Sequence, residues 1–292
     1  MNPFSRKGIL LAGGNGTRFY PATRSISKQL LPIYDKPMVY YPLSTIMLAG
    51  IRDILIITWE HEIALFKRLL GDGSQWGIHL QYAAQDVPRG ISDAFIIGEK
   101  FIGQDPVCLM LGDNVLYGDN ISDVLQHATQ QKEGATIFGY LVNDPERYGV
   151  IQFDDKQQPI DIIEKPTNPV SRYAAIGLYF YDNNVIEMAK QLKPSPRGEL
   201  EITDVSRMYL QQKKLAVTKL GRGVAWLDTG TPASWLEAAN FIQILEHRQG
   251  LKIGSPEEIA WRMGYINATQ LLALAEPLVK SGYGQYLQKL VL

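Results

Sequence analysis

The chain has 292 residues, 29 basic against 30 acidic side chains for a net charge of -1, and 46% apolar residues. That length suffices for one large α/β domain or two modest ones with a sizeable core, and the charge balance excludes a general polyanion-binding surface of the kind that grips nucleic acid. Any phosphate chemistry has to be local.

In chain order, "GILLAG" (8–13) reads as a strand, 38–49 as a helix, "DILIIT" (53–58) as a strand and 60–70 as a helix. "IHLQYAA" (78–84), a helix over 91–101, "VCLMLGD" (107–113), a helix over 121–131 and "ATIFGYLV" (135–142) continue the alternation. Short apolar runs of this kind suit strands buried on both faces, and their alternation with helices predicts a doubly wound, mostly parallel, Rossmann-like sheet. Ligands of such a sheet lie at the carboxyl ends of its strands.

After residue 145 the pattern loosens into "YGVIQFD", "PIDIIEKP" and "AAIGLYFYD", read as an added mixed-sheet lobe for a substrate. From 231 onward, apolar residues at helical spacing predict a helical extension. The expected organisation is therefore a core over 1–230, with a nucleotide-binding part to about 145 and a substrate part over 146–230, followed by the extension over 231–292.

The only cysteine, Cys108, cannot close an internal disulfide; it reads as a buried, inert thiol and fits a reducing, cytoplasmic setting. The N-terminal "MNPFSRKGILLAGG" has too short an apolar run for an export signal. "MVYYPLSTIMLAGI" at 38–51 contains Pro42 and falls short of the roughly 20 residues that cross a bilayer, so no membrane association is expected.

The first strand runs into "LAGGNGTRFYPATRSISKQLLPI". Gly13, Gly14 and Gly16 let the backbone bend and expose N–H groups to an anion. The stretch satisfies neither the GK[ST] ending of a P-loop nor the third glycine of a dinucleotide fingerprint. Arg18 offers a planar fork and Lys28 a compact charge, and together they can neutralise a departing pyrophosphate. Alone, each reads as a solvated cation, and the glycines alone as a tight turn. Asp113 closes the strand 107–113 where the ligand crevice is expected, although a lone aspartate there also serves as a turn or cap. His61, His79, His127 and His247 show no metal-ligand spacing.

Taken in order, "LAGGNGTRFYPATRSISKQLLPIYDKPMVYYPLS", "LGDGSQWGI", "LGDNVLYG", "DPERYGVIQFD", "EKPTNP", "GLYFYD", "RGELEIT" and "WLDTGT" resemble the glucose-1-phosphate thymidylyltransferases over nearly the whole chain. The resemblance implies conversion of dTTP and glucose 1-phosphate to dTDP-glucose and pyrophosphate, with Mg²⁺ as cofactor, in the supply of deoxysugars for surface polysaccharides. It implies that Asp113 and Asp228 hold the metal, that Gly13, Gly14, Gly16, Thr17, Arg18 and Lys28 meet the phosphates, and that Gln29, Gln85 and Gly90 meet the nucleotide. Lys165 is implied for the sugar phosphate, Glu164 for sugar hydroxyls, and Tyr148, Gly149, Ala175 and Glu199 for the hexose surroundings. A homotetramer built as a dimer of dimers, and a dTDP-sugar feedback site near Arg222 and "EEIAWR", are further implications.

Two segments depart from that pattern. "GISDA" (90–94) replaces the usual Gly-Leu-Ala-Gln-Ala, so Ile91 is expected to change shape beside the nucleotide and Asp93 to add negative charge near the phosphates. "AAIG" (174–177) replaces Ala-Val-Thr-Gly on the sugar wall. The departures leave open another hexose 1-phosphate or UTP as substrate. A noncatalytic nucleotide-sugar sensor is the alternative from a different class.

Overall fold

The computed structural model describes residues 6–292; residues 1–5, which open the stretch read as lacking an export signal, lie outside the described residues. Strand β1 (Lys7–Leu11) leads through the glycine loop and the short 3₁₀ turns Thr17–Phe19 and Lys28–Leu30 into a hairpin of β2 (Pro32–Ile33) and β3 (Lys36–Pro37), then helix α1 (Tyr40–Leu48). There follow β4 (Asp53–Thr58), α2 (Ile63–Leu70), β5 (His79–Ala84), α3 (Asp93–Ile97), α4 (Glu99–Ile102), β6 (Val107–Leu111), β7 (Asn114–Gly118), α5 (Ile121–Gln130) and β8 (Ala135–Leu141). Next come β9 (Gly149–Phe153), β10 (Pro159–Glu164), β11 (Tyr173–Tyr181), α6 (Val185–Gln191), α7 (Ile202–Gln211), β12 (Leu215–Lys219) and β13 (Val224–Asp228). Helices α8 (Pro232–Gln249), α9 (Pro256–Arg262), α10 (Ala268–Ala275) and α11 (Gly282–Lys289) end the chain.

β5, β4, β1 and β6 pair in parallel in that order. The alternation of side chains along them winds helices onto both faces. Ile54 and Ile56 of β4 enter one core with Leu43 of α1, Phe66 of α2 and Leu125 of α5, while Leu55 and Ile57 enter the other with Phe95 of α3, Val185 of α6 and Val205 of α7. The doubly wound, mostly parallel α/β sheet expected from the sequence is the observed one. Cys108 is fully buried on β6, and its thiol is pushed up to about 12 by that burial.

One strand lies elsewhere than expected. "AAIGLYFYD" forms β11, which runs antiparallel between β6 and β8 in the middle of the main sheet. Residues 174–181 are all buried, and an unbroken apolar run of this length has to be covered on both faces, which an added lobe does not offer. β8 in turn pairs in parallel with β12. The β9–β10 hairpin extends the same sheet at that end, with β9 pairing antiparallel to β11 through Val150 and Ala174.

The expected helix at 91–101 is two short ones broken at Gly98, where a Cβ would stand 2.9 Å from Ile9. The tail is helical as expected, and it is packed into the body: Ile259, Ala260, Leu271 and Leu287 join the core beneath α1. Among the described residues, no helix is long and apolar enough to cross a membrane.

Candidate functional site

The loops that follow β1, β5 and β6 meet at the carboxyl edge of the sheet. They enclose a cleft of about 220 Å³ that gathers Gly13, Gly14, Gln29, Gln85, Gly90, Asp113 and Glu199, with Ile91 among its walls. A Cβ on Gly13 would collide with the Gln85 carboxamide, so glycine is what admits that buried side chain against the loop. Gly14 and Gly16 have φ of 100° and 56°. The Gly14 carbonyl accepts Trp59 Nε1–H at 3.1 Å and the Gly16 carbonyl accepts Thr23 Oγ1–H at 2.7 Å, so both acceptors are taken up by the protein, as an anion-binding loop requires. Gln29 is buried, with its Oε1 accepting from Ser27 Oγ at 2.7 Å.

Gly90 shapes the far wall. Its φ is 112°, and a Cβ there would stand 2.6 Å from the Leu200 backbone. Leu200 N–H donates to the Arg89 carbonyl at 2.6 Å, stitching the loop after β5 to the "RGELEIT" segment. A second cleft of about 320 Å³, on the other side of the glycine loop, contains Lys28 together with Arg24 and His61, neither of which stood out in the sequence. Thr17 and Arg18 are exposed and line neither cleft; Arg18 is felt by Asp228, whose carboxyl it helps to keep charged.

Asp113 and Asp228 are brought together by an antiparallel ladder. β7 starts just after Asp113 and pairs with β13, so that Asn114 faces Asp228. Thr229 then donates its N–H and its hydroxyl to the Asp113 carbonyl at 3.1 and 2.7 Å. Burial and then the Asp113 charge push the Asp228 carboxyl up to about 6, against the pull of Lys28, Arg147 and Arg18. Burial also opposes ionisation of Asp113, but the charge and hydrogen bond of the Lys28 ammonium, which is bonded to its Oδ2, hold it below the usual carboxylate range. Among the described residues no group of three or more His, Cys, Asp or Glu is placed to hold a metal ion by itself. Two carboxylates, one left undercompensated, fit a divalent cation that fills its remaining positions with phosphate and water oxygens.

A second set of residues approaches from the β9–β10 hairpin. Gly149 pairs with Glu164, and a Cβ on Gly149 would stand 3.3 Å from Glu164 Oε2 and 3.9 Å from Ala175 Cβ. Lys165, at φ 42°, donates its N–H to the Tyr148 carbonyl at 2.9 Å. Its Nζ lies 4.0 Å from Glu164. Tyr148 packs edge-on against Trp226 at 5.0 Å, and burial and the Asp228 charge raise its hydroxyl pKa, which places the hairpin beside the carboxylate pair.

The placements of Glu199 and Asp93 bear on what the sequence suggested. Glu199, which the resemblance sets among the hexose surroundings, lines the cleft of Gln85 and Gly90 and is ion-paired with Arg197 at 3.0 Å. Asp93 adds no charge to the phosphate side: it is 1% exposed, outside the cleft lining, and ion-paired with Arg89 at 2.9 Å. Two arginines to which the sequence assigns no role also reach this region. Arg197 of "RGELEIT" reaches Glu164, Glu199 and Glu201 at 3.2, 3.0 and 3.3 Å, bridging the two arms. Arg147 of "DPERYGV" lies 3.5 Å from Asp228 and 2.6 Å from Asp144. A cation next to a motif's recognised residue was the available signal in both cases.

A family model described as nucleotidyl transferase matches residues 7–244. The chain is 59% identical to a glucose-1-phosphate thymidylyltransferase of Xanthomonas campestris pv. campestris, over 98% of this chain and 97% of that protein. It is 55% identical to one of Mycobacterium tuberculosis, over 98% and 99% of the two chains. Among solved structures, a glucose-1-phosphate thymidylyltransferase of Bacillus anthracis in complex with sucrose superposes with a TM-score of 0.75 at 40% identity, covering 81% of this chain and 95% of that one. A UDP-glucose pyrophosphorylase bound to UDP-glucose superposes with a TM-score of 0.72 at 26% identity, covering 83% and 100%.

Proposed function

The chain belongs to the nucleotidyl transferase family, and from that membership we propose that it transfers a deoxythymidylyl group from dTTP to glucose 1-phosphate, giving dTDP-glucose and pyrophosphate. The observation that carries the reading is the convergence of two arms on the Asp113–Asp228 pair: the glycine-loop cleft with Gln85 and Gly90, and the hairpin with Glu164 and Lys165. One arm suits a nucleotide and the other a phosphorylated sugar.

The reaction needs no protein nucleophile. A phosphate oxygen of glucose 1-phosphate attacks the α-phosphorus in line, forming the new P–O bond as the bond to the β-phosphate oxygen breaks and pyrophosphate leaves with that electron pair. Gln85 reads the pyrimidine edge by donating and accepting, beside the backbone of Gly90, with Gln29 near the nucleotide. The loop of Gly13, Gly14, Gly16 and Thr17 meets the triphosphate, and Arg18 and Lys28 receive the charge that builds on the leaving group. Lys165 holds the attacking phosphate against the repulsion of the triphosphate, Glu164 accepts from sugar hydroxyls, and Tyr148, Gly149 and Ala175 shape that side, with Glu199 reaching in from the cleft wall. Asp113 and Asp228 would hold Mg²⁺, which supplies charge neutralisation and orientation of the phosphates.

Purified protein with dTTP, Mg²⁺ and glucose 1-phosphate should release pyrophosphate and form dTDP-glucose, and no turnover on any common nucleotide and sugar 1-phosphate would reject the reading. A second reading, UTP or another hexose 1-phosphate, is favoured by Ile91 in the cleft wall and by the likeness to a UDP-glucose pyrophosphorylase. A 5-methyl group is worth about 1 kcal/mol of burial, so kcat/KM over a nucleotide and sugar grid decides between them. Leu236 and Ile244, exposed on α8, suit a subunit contact of the expected homotetramer, which light scattering would count.

A further inference from the structure

Helix α8 starts beside the carboxylate pair and, near its other end, packs on the hairpin that follows the Lys28 turn. Its start follows directly on Asp228 and Thr229, and is fixed by Thr231, whose hydroxyl accepts from Ser234 N–H at 3.2 Å. Near its other end, Glu246 is 5% exposed and takes the ammonium of Lys36, itself 3% exposed, at 2.8 Å. Lys36 lies in the β2–β3 hairpin, and that hairpin hangs on the Lys28 turn: Met38 N–H donates to the Leu31 carbonyl and Val39 N–H to the Gln29 carbonyl, both at 2.9 Å. One helix therefore links the strand that ends in Asp228 to the segment that presents Lys28 and Gln29.

The junction is a four-charge set. Lys36 also reaches Asp35 at 2.6 Å, Lys252 bonds Asp35 and meets Glu246 Oε2 at 2.7 Å, and Glu246 Oε1 accepts Ile253 N–H at 2.9 Å. A buried ion pair adds little stability over apolar packing of the same volume, whereas it penalises any geometry that separates the charges. Between the two ends, the Thr229 hydroxyl that holds the Asp113 carbonyl lies 3.4 Å from the Met38 sulfur, in a small core shared by the hairpin, β7 and α8.

We propose that Lys36 and Glu246 are positioning residues for the nucleotide half of the site: they lock the hairpin to α8 and so set where Lys28 and Gln29 stand relative to Asp113 and Asp228. The helical extension is on this account part of the catalytic frame. The proposal rests on the thymidylyl-transfer reading, so the wild-type chain is assayed alongside.

In full-length Lys36→Met, KM and the calorimetric Kd for dTTP should rise ten-fold or more while KM for glucose 1-phosphate stays within two-fold. A purely structural role predicts a smaller active fraction, which lowers kcat and leaves both KM values in place, and that result overturns the proposal. Where Lys36→Met does not fold, Glu246→Gln keeps an acceptor for Lys36 and Ile253 but removes the charge. A three-fold or larger rise in its dTTP Kd, with unchanged KM for the sugar phosphate, supports the clamp, and a wild-type Kd in the folded variant refutes it. Wild-type inactivity counts against the functional reading, while the dTTP Kd still scores the clamp.

Discussion

The Lys28 ammonium is bonded to the Asp113 carboxylate, so in this state a group expected to meet the leaving pyrophosphate occupies a ligand oxygen expected to meet the metal. A divalent cation arriving without nucleotide has to displace it; arriving with dTTP, it frees Lys28 for the phosphates. Lys28→Met should therefore tighten Mn²⁺ binding to the nucleotide-free protein by about ten-fold, about 1.4 kcal/mol, measured by electron paramagnetic resonance at pH 8, where both carboxylates are ionised. The same variant should lose about 100-fold or more in kcat/KM for dTTP, because a charge-assisted contact to the transition state is gone. Weaker Mn²⁺ binding in the variant would sink the account.

Asp228 gives a pH signature. Its folded carboxyl is pushed up to about 6, by burial and then by Asp113, from an unfolded value near 4. A raised pKa favours the folded state at low pH; that contribution is complete below about pH 4 and is lost as pH rises through about 6. Asp113 runs the other way: its depressed pKa stabilises above the unfolded value and fails only well into acid. Asp228→Asn, which cannot ionise, should then raise the melting temperature of the metal-free protein at pH 7.5 by a few degrees, about 2–4 °C per kcal/mol recovered. It should do so while cutting turnover by about 100-fold or more, and the gain should vanish near pH 4. A lower melting temperature at pH 7.5 would show that the charged carboxylate is stabilised after all.

What the sequence disclosed and what it hid follow from range. β1, β4 and β6 declare themselves through local apolar runs, and Asp113 through its place at a strand end. Asp228 is different: its nearness to Asp113 comes from the β7–β13 ladder, which joins segments far apart in the chain, so only the likeness of "WLDTGT" to a family motif could find it. From sequence, β11 reads as part of an added lobe because it follows the turn-rich "EKPTNP", although the unbroken apolar run "AAIGLYFY" already carries the mark of burial on both faces. Arg147 and Arg197 escape the sequence because an exposed arginine reads the same whether it faces solvent or, as here, neighbouring carboxylates.

Gly90 tests the wall of the nucleotide cleft. A side chain there meets both a disfavoured φ of 112° and the Leu200 backbone at 2.6 Å, neither of which a flexible neighbour can relieve. Gly90→Ala should push the loop of residues 87–92 off the "RGELEIT" segment, raising KM for dTTP about ten-fold or more with little change in KM for glucose 1-phosphate. Equal rises in both would mean that the two arms are not separable at this position.

Arg197 ties those arms together, and its effect should be visible through Glu164. Burial and then the nearby Glu201 raise the Glu164 pKa, while Lys165 and Arg197 pull it back. Removing Arg197 lifts it further, so a carboxylate that accepts from sugar hydroxyls takes up its proton at a higher pH and loses acceptor capacity. For Arg197→Met, KM for glucose 1-phosphate should therefore climb more steeply than in the wild type as pH falls from 8 to 6, by several-fold across that interval, with KM for dTTP following its wild-type slope. If Arg197 acts only as a phosphate-binding cation, KM is raised by the same factor at every pH. Parallel pH profiles for variant and wild type would thus assign Arg197 to the phosphate and leave Glu164 without the acceptor role given to it here.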